Sequence, residues 1–539
     1  MTQRPIYKHL PFILLILAQL TFGLITFRDF GLTWDEPLFY AYGDALGYAY
    51  TPGNWFRSDF NLANSYGPSA DDHKTRGPAY LLLAREPVYA LQSLGVDEAS
   101  AWHLVNFLSF LLGVYFIYRL SLRWMGGWAA FGAAALFSTQ PLLLGHAFIN
   151  PKDMPFLVFF TGALLFGFEM VDALNDKTKN VKQKMWSMVV AAFFLGVATS
   201  NRVIAPLAGI LVVVYAIVQL RSTVNHSRSI VIYLLAYTLL SIFVMFATWP
   251  YLWESPLHNF FQVFLFMSDN PTGLQVLFGG QVYRAFDLPR RYLPTLLAIT
   301  LTESVWPLFI LGLGINIWKA ITRLSHRPPI SNRQPPTDYW LTLTAFLIPF
   351  IYVLALRPPM YDGFRHFLFI VPPVFVTVGL GLQFLFDGLS KTISKLGVTS
   401  WLYAGLVLVL VAPNFFAIAS LHPFEYTYYN SFVGGTGGAL RTYETDYWLT
   451  CYKQAVEQFN LKYPNATLFV HREPEVASPY AAPGITVLDE RGNLASIQPG
   501  DFILVNSRTN EDRKTFHDAP VVIAIGRDGA TFCEIKSIP

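Results

Sequence analysis

Residues 128–171 read WAAFGAAALFSTQPLLLGHAFINPKDMPFLVFFTGALLFGFEMV. Two apolar runs, Trp128–Gly145 and Met154–Val171, flank a turn that holds His146, Asn150, Lys152 and Asp153. Each run has the length that carries a helix across about 30 Å of hydrocarbon. Lipid offers the backbone no hydrogen-bond partner, so such a run crosses as a helix with its amides bonded within the segment. The pair predicts two antiparallel spans joined by a short polar turn.

The same pattern recurs along the chain. Hydropathy places about eleven spans in all. Besides those two they are Leu10–Phe27, Trp102–Tyr118, Trp186–Thr199, Val203–Leu220, Ile230–Trp249, Leu293–Trp318, Tyr339–Leu356, Phe367–Phe386 and Trp401–Leu421. Composition agrees: 53% of the 539 residues are hydrophobic and 14% charged, with a mean hydropathy of +0.39. A soluble chain of this length needs more charge to cover its surface. The net charge of +3 gives no polybasic face, which excludes a nucleic-acid partner and leaves membrane lipids as the surroundings. The first run follows Arg4 and Lys8 and has no small-residue cleavage site after it, so it reads as a retained helix.

Lys/Arg bias sets the orientation. With the N-terminus cytoplasmic, the inner connections hold Arg119 and Arg123, the lysines at 177, 179, 182 and 184, Arg221 and Arg228, Lys319, Arg323, Arg327 and Arg333, and Lys391 and Lys395. Acids there are few: Asp172, Asp176 and Asp387. The first outer loop, residues 28–101, is acidic, with Asp29, Asp35, Glu36, Asp44, Asp59, Asp71, Asp72, Glu86, Asp97 and Glu98. A second long outer loop covers 250–292. Stretches Ala79–Leu94 and Pro256–Phe278 within these loops are too short or too polar to span, and read as amphipathic helices in the interface.

The predicted fold class is therefore an α-helical polytopic membrane protein, residues 1–430, with a small extracytoplasmic α/β domain at 431–539. In the latter, Tyr443–Asn460 reads as a helix. Ala466–Val470, Ile485–Leu488, Phe502–Val505 and Val521–Ile525 read as strands bounded by Pro, Gly, Asn or Asp. The only cysteines, Cys451 and Cys533, face an oxidising space on this threading, which permits a disulfide without requiring one. They have no metal-site spacing.

Four charged clusters fall on the outer face. In Thr33-Trp34-Asp35-Glu36-Pro37, adjacent acids point different ways and can divide the work of base and orienting group, although Asp before Glu-Pro also suits a helix start. In Asn150-Pro151-Lys152-Asp153, Asp153 opens a span and capping would explain it; Lys152 has no capping use. Arg202, Lys74 and Arg76 supply cations that could equally anchor headgroups by snorkelling. Tyr361-Asp362-Gly363-Phe364-Arg365-His366 places Arg and His at a helix start, where an anion would compensate the unfavourable dipole. A carboxylate base beside several cations suits group transfer from an anionic phosphate leaving group. No nucleotide-binding glycine loop is present, and an outer face has no nucleotide sugars, so the donor should be lipid-borne.

These motifs resemble those of membrane glycosyltransferases of the GT-C fold, in particular family 39, which includes protein O-mannosyltransferases and bacterial aminoarabinose transferases. The resemblance covers the first span through the eleventh. It implies Asp35 as catalytic base, Glu36 and Asp153 as accompanying catalytic acids, and Arg202 on the lipid phosphate. Relatives often end the first loop in a basic-Pro-Pro motif; this chain has Lys74-Thr75-Arg76-Gly77-Pro78. The expected substrate-binding set is Lys74, Arg76, Asn150, Lys152, Arg202, Tyr361, Arg365 and His366. The expected reaction is inverting transfer from a polyprenyl-phosphate sugar to an acceptor that is a lipid, glycan or protein. No cofactor is required, and a divalent cation near Glu36 is compatible. A flippase for lipid-linked sugars predicts ionisable groups at mid-membrane depth, and the spans hold few. A non-catalytic scaffold predicts that Asp35 is dispensable.

Overall fold

The computed structural model describes residues 9–68, 73–220, 227–269, 272–325, 337–393 and 399–539. Arg4, Lys8, Asp71, Asp72, Arg221, Arg327, Arg333 and Lys395 lie outside the described residues, as do the side chains of Arg228 and Arg323. In chain order the principal helices are α1 (Leu10–Thr26), α2 (Glu36–Leu46), α3 (Ala79–Ser93), α4 (Glu98–Ser121), α5 (Gly127–Ser138), α6 (Pro141–Ile149), α7 (Asp153–Asn175), α8 (Val181–Asn201), α9 (Pro206–Leu220) and α10 (Ser227–Ala247). They continue with α11 (Pro256–Asp269), α12 (Tyr292–Thr300), α13 (Val305–Ser325), α14 (Thr337–Leu356), α15 (Val371–Ile393), α16 (Thr399–Leu421) and α17 (Tyr452–Lys462).

Among the described residues, eight helices are long and apolar enough to cross a membrane, and the bent pair α5–α6 makes nine. Helix α1 and helix α9 are apolar but shorter, so length alone trims the expected eleven. All eleven expected positions are nevertheless helical. Two of them are broken. Pro141 interrupts the third, where α5 and α6 meet at 64°. Thr300 ends α12 before α13 begins at Val305, splitting the expected span Leu293–Trp318. The two breaks face each other. Gln140 Oε1 accepts from the Thr302 N–H at 2.9 Å, and Gln140 Nε2 donates to Thr302 Oγ1 at 2.8 Å. The Gln140 side chain thus satisfies a backbone N–H that the break after α12 leaves open, and the Thr302 hydroxyl accepts from its amide in return.

Helix α7 is buried along most of its surface, with α4, α8 and α9 packed around it. At one end of the bundle Arg123 bridges Asp172 (2.8 Å) and Asp338 (2.6 Å). The candidate site lies at the other end. The expected amphipathic stretch Pro256–Phe278 is helical only to Asp269. Its last residues form β1 (Gln275–Phe278), which pairs with β2 (Gln281–Arg284) in an antiparallel hairpin around Gly279-Gly280.

The C-terminal sheet has the order β4-β3-β5-β7-β6, with β3 (Ala466–Val470), β4 (Ile485–Asp489), β5 (Phe502–Asn506), β6 (Val521–Arg527) and β7 (Ala530–Ser537). Strands β4, β3 and β5 are parallel, while β7 joins β5 and β6 antiparallel. Strand β7 was not expected from sequence. The expected helix Tyr443–Asn460 begins only at Tyr452, because Asp446 folds the preceding turn by accepting the N–H groups of Thr450 (3.0 Å) and Cys451 (2.9 Å). Cys451 and Cys533 form a disulfide that ties the start of α17 to β7.

Candidate active site

Asp35 is the last residue before α2, and its neighbour Glu36 explains why the turn holds. The Glu36 carboxylate is fully buried. It accepts the Thr33 N–H (2.7 Å) and the Tyr40 hydroxyl (2.6 Å), and lies 3.0 Å from His103 Nε2. Glu36 therefore faces inward and fixes the turn. Asp35 faces the other way, where its Oδ2 accepts from Arg365 Nη1 at 2.5 Å. Both Glu36 oxygens are thus engaged by hydrogen-bonding partners. Among the described residues no group of three His, Cys, Asp or Glu side chains is placed to hold a metal.

The second acid is set by the turn before α7. Asn150 Oδ1 accepts the N–H groups of Lys152 (3.2 Å) and Asp153 (2.8 Å), so Asn150 folds the turn ahead of α7 and the Asp153 carboxylate points elsewhere. Asp153 pairs with Arg202 Nη2 and lies 3.8 Å from Arg365 Nη1. Lys152 Nζ donates to the Gly77 carbonyl at 2.7 Å. Burial, with Arg202 and Arg76 nearby, pulls the Lys152 ammonium well below its ordinary value, and Asp153 offsets this only in part. Gly77 is required by contact: a Cβ there would sit 1.3 Å from the Ser200 carbonyl oxygen. This close approach brings the Arg76 loop against the end of α8, beside Arg202.

Arg365 is the hub. Besides Asp35 it pairs with Asp362 at 3.1 Å, and it rests on the rings of Tyr361 (5.0 Å) and Trp448 (5.2 Å). Asp362 in turn accepts from Arg508 Nη2 (2.6 Å) and Trp448 Nε1 (3.1 Å). Arg508 Nε bonds Glu444 Oε1 at 3.1 Å. Burial pushes Asp362 up against the pull of Arg508 and Arg365, and carries Glu444 up to about 7 despite Arg508.

A cavity of about 320 Å³ opens beside this cluster. Its lining includes Arg76, Lys152, Arg202 and Arg365, with His366 and Tyr361, and no acidic side chain among the described residues. Arg202 Nε and Arg365 Nε are buried and have no hydrogen-bond partner among the described residues. The rest of the lining is largely apolar, with Trp249, Val263, Met267 and Phe367 among its walls. Helix α11 supplies part of that wall. Asp35 and Asp153 stand behind Arg365 and Arg202 and do not line the cavity. Lys74 does not line it either; its carbonyl accepts the Trp249 indole N–H at 2.9 Å.

The family described as dolichyl-phosphate-mannose-protein mannosyltransferase matches residues 90–249, a window that holds Asn150, Lys152, Asp153 and Arg202. The apo crystal structure of ArnT from Cupriavidus metallidurans is similar to this chain over 97% of each, with a TM-score of 0.50 and 16% identity. The chain has the GT-C glycosyltransferase fold. The ArnT structure bound to undecaprenyl phosphate gives a TM-score of 0.48 at 15% identity, covering 97% of this chain and 98% of that one. The Archaeoglobus fulgidus oligosaccharyltransferase in its apo form gives 0.49 at 12% identity, over 91% of this chain and 69% of that one. No curated protein matches the chain.

Within this GT-C bundle the sequence reading missed His103, Asp362, Trp448, Glu444 and Arg508 as members of the cluster. Asp362 and the stretch from Glu444 to Trp448 stand inside motifs that invite attention. Arg508 carries no such signal, since it sits between β5 and a turn and reaches Asp362 across 146 positions of chain.

Proposed function

We propose that this protein is an inverting glycosyltransferase that moves a sugar from a polyprenyl-phosphate carrier to an acceptor on the extracytoplasmic face. The observation that carries this reading is the mixed lining of the cavity: Arg76, Arg202 and Arg365 with Lys152, no acid among the described residues, and many apolar side chains. Such a cavity fits a phosphate on a long hydrocarbon chain. The match to a dolichyl-phosphate-mannose-dependent family points to the same donor class. The Lys/Arg bias of the connections supports an outward-facing cavity.

In this mechanism the acceptor's hydroxyl or amine approaches Asp35. Oδ2 of Asp35 is held by Arg365, and Oδ1 takes no hydrogen bond from a described residue, which leaves it to receive the acceptor proton. As that proton leaves, the acceptor atom bonds to the anomeric carbon from the side opposite the phosphate. The bond from that carbon to the phosphate oxygen breaks, and the electron pair stays with the phosphate. Arg76, Arg202 and Arg365 stabilise the released anion, with Lys152 beside them as a hydrogen-bond donor. Asp153 holds Arg202 and Arg365 toward it, and Glu36 holds the turn that aims Asp35.

The test is release of lipid phosphate from a panel of labelled polyprenyl-phosphate sugars by the protein in nanodiscs. Asp35→Asn should lower turnover by about a hundredfold or more while donor binding persists. Equal turnover by both proteins would remove Asp35 from the chemistry. Donor binding with no turnover of any donor would overturn the transferase reading.

A further inference from the structure

Arg508 is 1% exposed, yet it touches neither the cavity nor any group that would meet the donor. It belongs to the C-terminal sheet domain. Its Nη2 and Nε hold Asp362 and Glu444, and its guanidinium lies 4.2 Å over the ring of Trp34. Nη1 is buried and has no hydrogen-bond partner among the described residues. Trp34 immediately precedes Asp35. Asp362 binds Arg365, which binds Asp35. Arg508 thus reaches Asp35 by two routes, one through the backbone of Trp34 and one through Asp362 and Arg365.

The rest of the loop is gripped by the same domain. A Cβ on Gly31 would sit 2.3 Å from the Thr450 carbonyl oxygen. The Leu32 N–H donates to the Tyr480 hydroxyl at 2.9 Å, and Lys453 Nζ donates to the Phe30 carbonyl at 3.3 Å. A buried arginine shared by two carboxylates is costly to desolvate and stabilises only in tight geometry. Burying one where it fixes the aim of a neighbouring group is the use that this arrangement offers.

We propose that Arg508 is a positioning residue: the C-terminal sheet domain, through Arg508, sets the orientation of the Asp35–Arg365 pair. The role of Asp35 as base rests on the function proposed above; the mechanical link from Arg508 to the pair does not. Arginine is needed because its planar fork spans Asp362 and Glu444 while stacking on Trp34, which a lysine cannot do.

The experiment compares the full chain with Arg508→Met and Arg508→Lys in nanodiscs, by donor turnover and by a cryo-electron-microscopy structure of each variant. Arg508→Met should retain the bundle and sheet but show Trp34 displaced and the Asp35–Arg365 pair opened. Its kcat should fall about tenfold to a hundredfold, the scale of a misplacement of about 1 Å, with KM for the donor near native. Arg508→Lys should recover part of kcat. An undisturbed Asp35–Arg365 pair in Arg508→Met, or an unchanged kcat, overturns the proposal. If Arg508→Met does not accumulate, Arg508→Lys decides: native kcat and an undisplaced Trp34 overturn it. If the native chain turns over no donor, the transferase reading fails, and the structures still decide whether Arg508 sets the pair.

Discussion

Asp35 and Glu36 are adjacent in sequence and opposite in environment, and substitution should separate them. Glu36→Ala strands the Tyr40 hydroxyl, the Thr33 N–H and His103 in a buried space. Leaving a buried polar group unsatisfied costs about 1–3 kcal/mol, so the three together should cost about 3 kcal/mol or more in thermal unfolding. Asp35→Asn keeps shape and should shift unfolding by less than about 1 kcal/mol. A Glu36→Ala protein that melts like the native one yet loses turnover would return Glu36 to the chemistry. The sequence made the acidic pair conspicuous but could not say which member turns inward and which meets Arg365. That is decided by His103 and Arg365, which stand 67 and 330 positions away from their partners. Lys152 and Arg202 were legible for a simpler reason: charge at the end of an apolar run is rare and stands out.

At the scale of elements, hydropathy located every helix of the bundle because lipid allows few other backbone arrangements. The breaks at Gln140 and Thr302 escaped it, since each is stabilised by the other across the bundle. The junction after α16 yields a pH prediction. His422 bonds Glu425 at 2.6 Å and Asp29, just beyond α1, at 2.9 Å. Burial pulls the imidazole down, but the hydrogen bonds and charges of Glu425 and Asp29 outweigh it and raise His422 to about 8. A group whose folded pKa is raised favours the fold when protonated. Its stabilisation, of order 2 kcal/mol, is complete below about 6.5 and is lost as pH rises through about 8. The native protein should therefore lose thermal stability relative to His422→Gln between pH 6 and 9. A constant difference between the two melting curves over that range would show that the ion pair contributes nothing.

The whole molecule works as one unit only while the C-terminal sheet domain holds the loop before α2, and the disulfide bears on this directly. Cys451 follows Thr450, the residue pressed against Gly31, and its bond to Cys533 joins positions 82 apart with Cα atoms 6.2 Å from each other. The sequence left that pairing open, because two cysteines on an outer face permit a bond without bringing them together. The docking of the domain was hidden altogether, since its contacts with the bundle come from isolated residues such as Arg508 and Tyr480. Closing a loop of this length restricts the unfolded chain by about 4–5 kcal/mol. Cys451→Ser with Cys533→Ser should lower the melting transition of the sheet domain by a corresponding amount while the spans stay helical by circular dichroism. Lipid-phosphate release should fall in step with the fraction of domain unfolded at the assay temperature. The reason is that Trp34 and Asp362 lose Arg508 when the sheet opens, so Asp35 loses its aim before the cavity loses its cations. Donor binding should consequently outlast turnover as temperature rises. Turnover that survives melting of the sheet domain would show that the bundle aims Asp35 unaided, and that the domain's grip on residues 30–35 is packing alone.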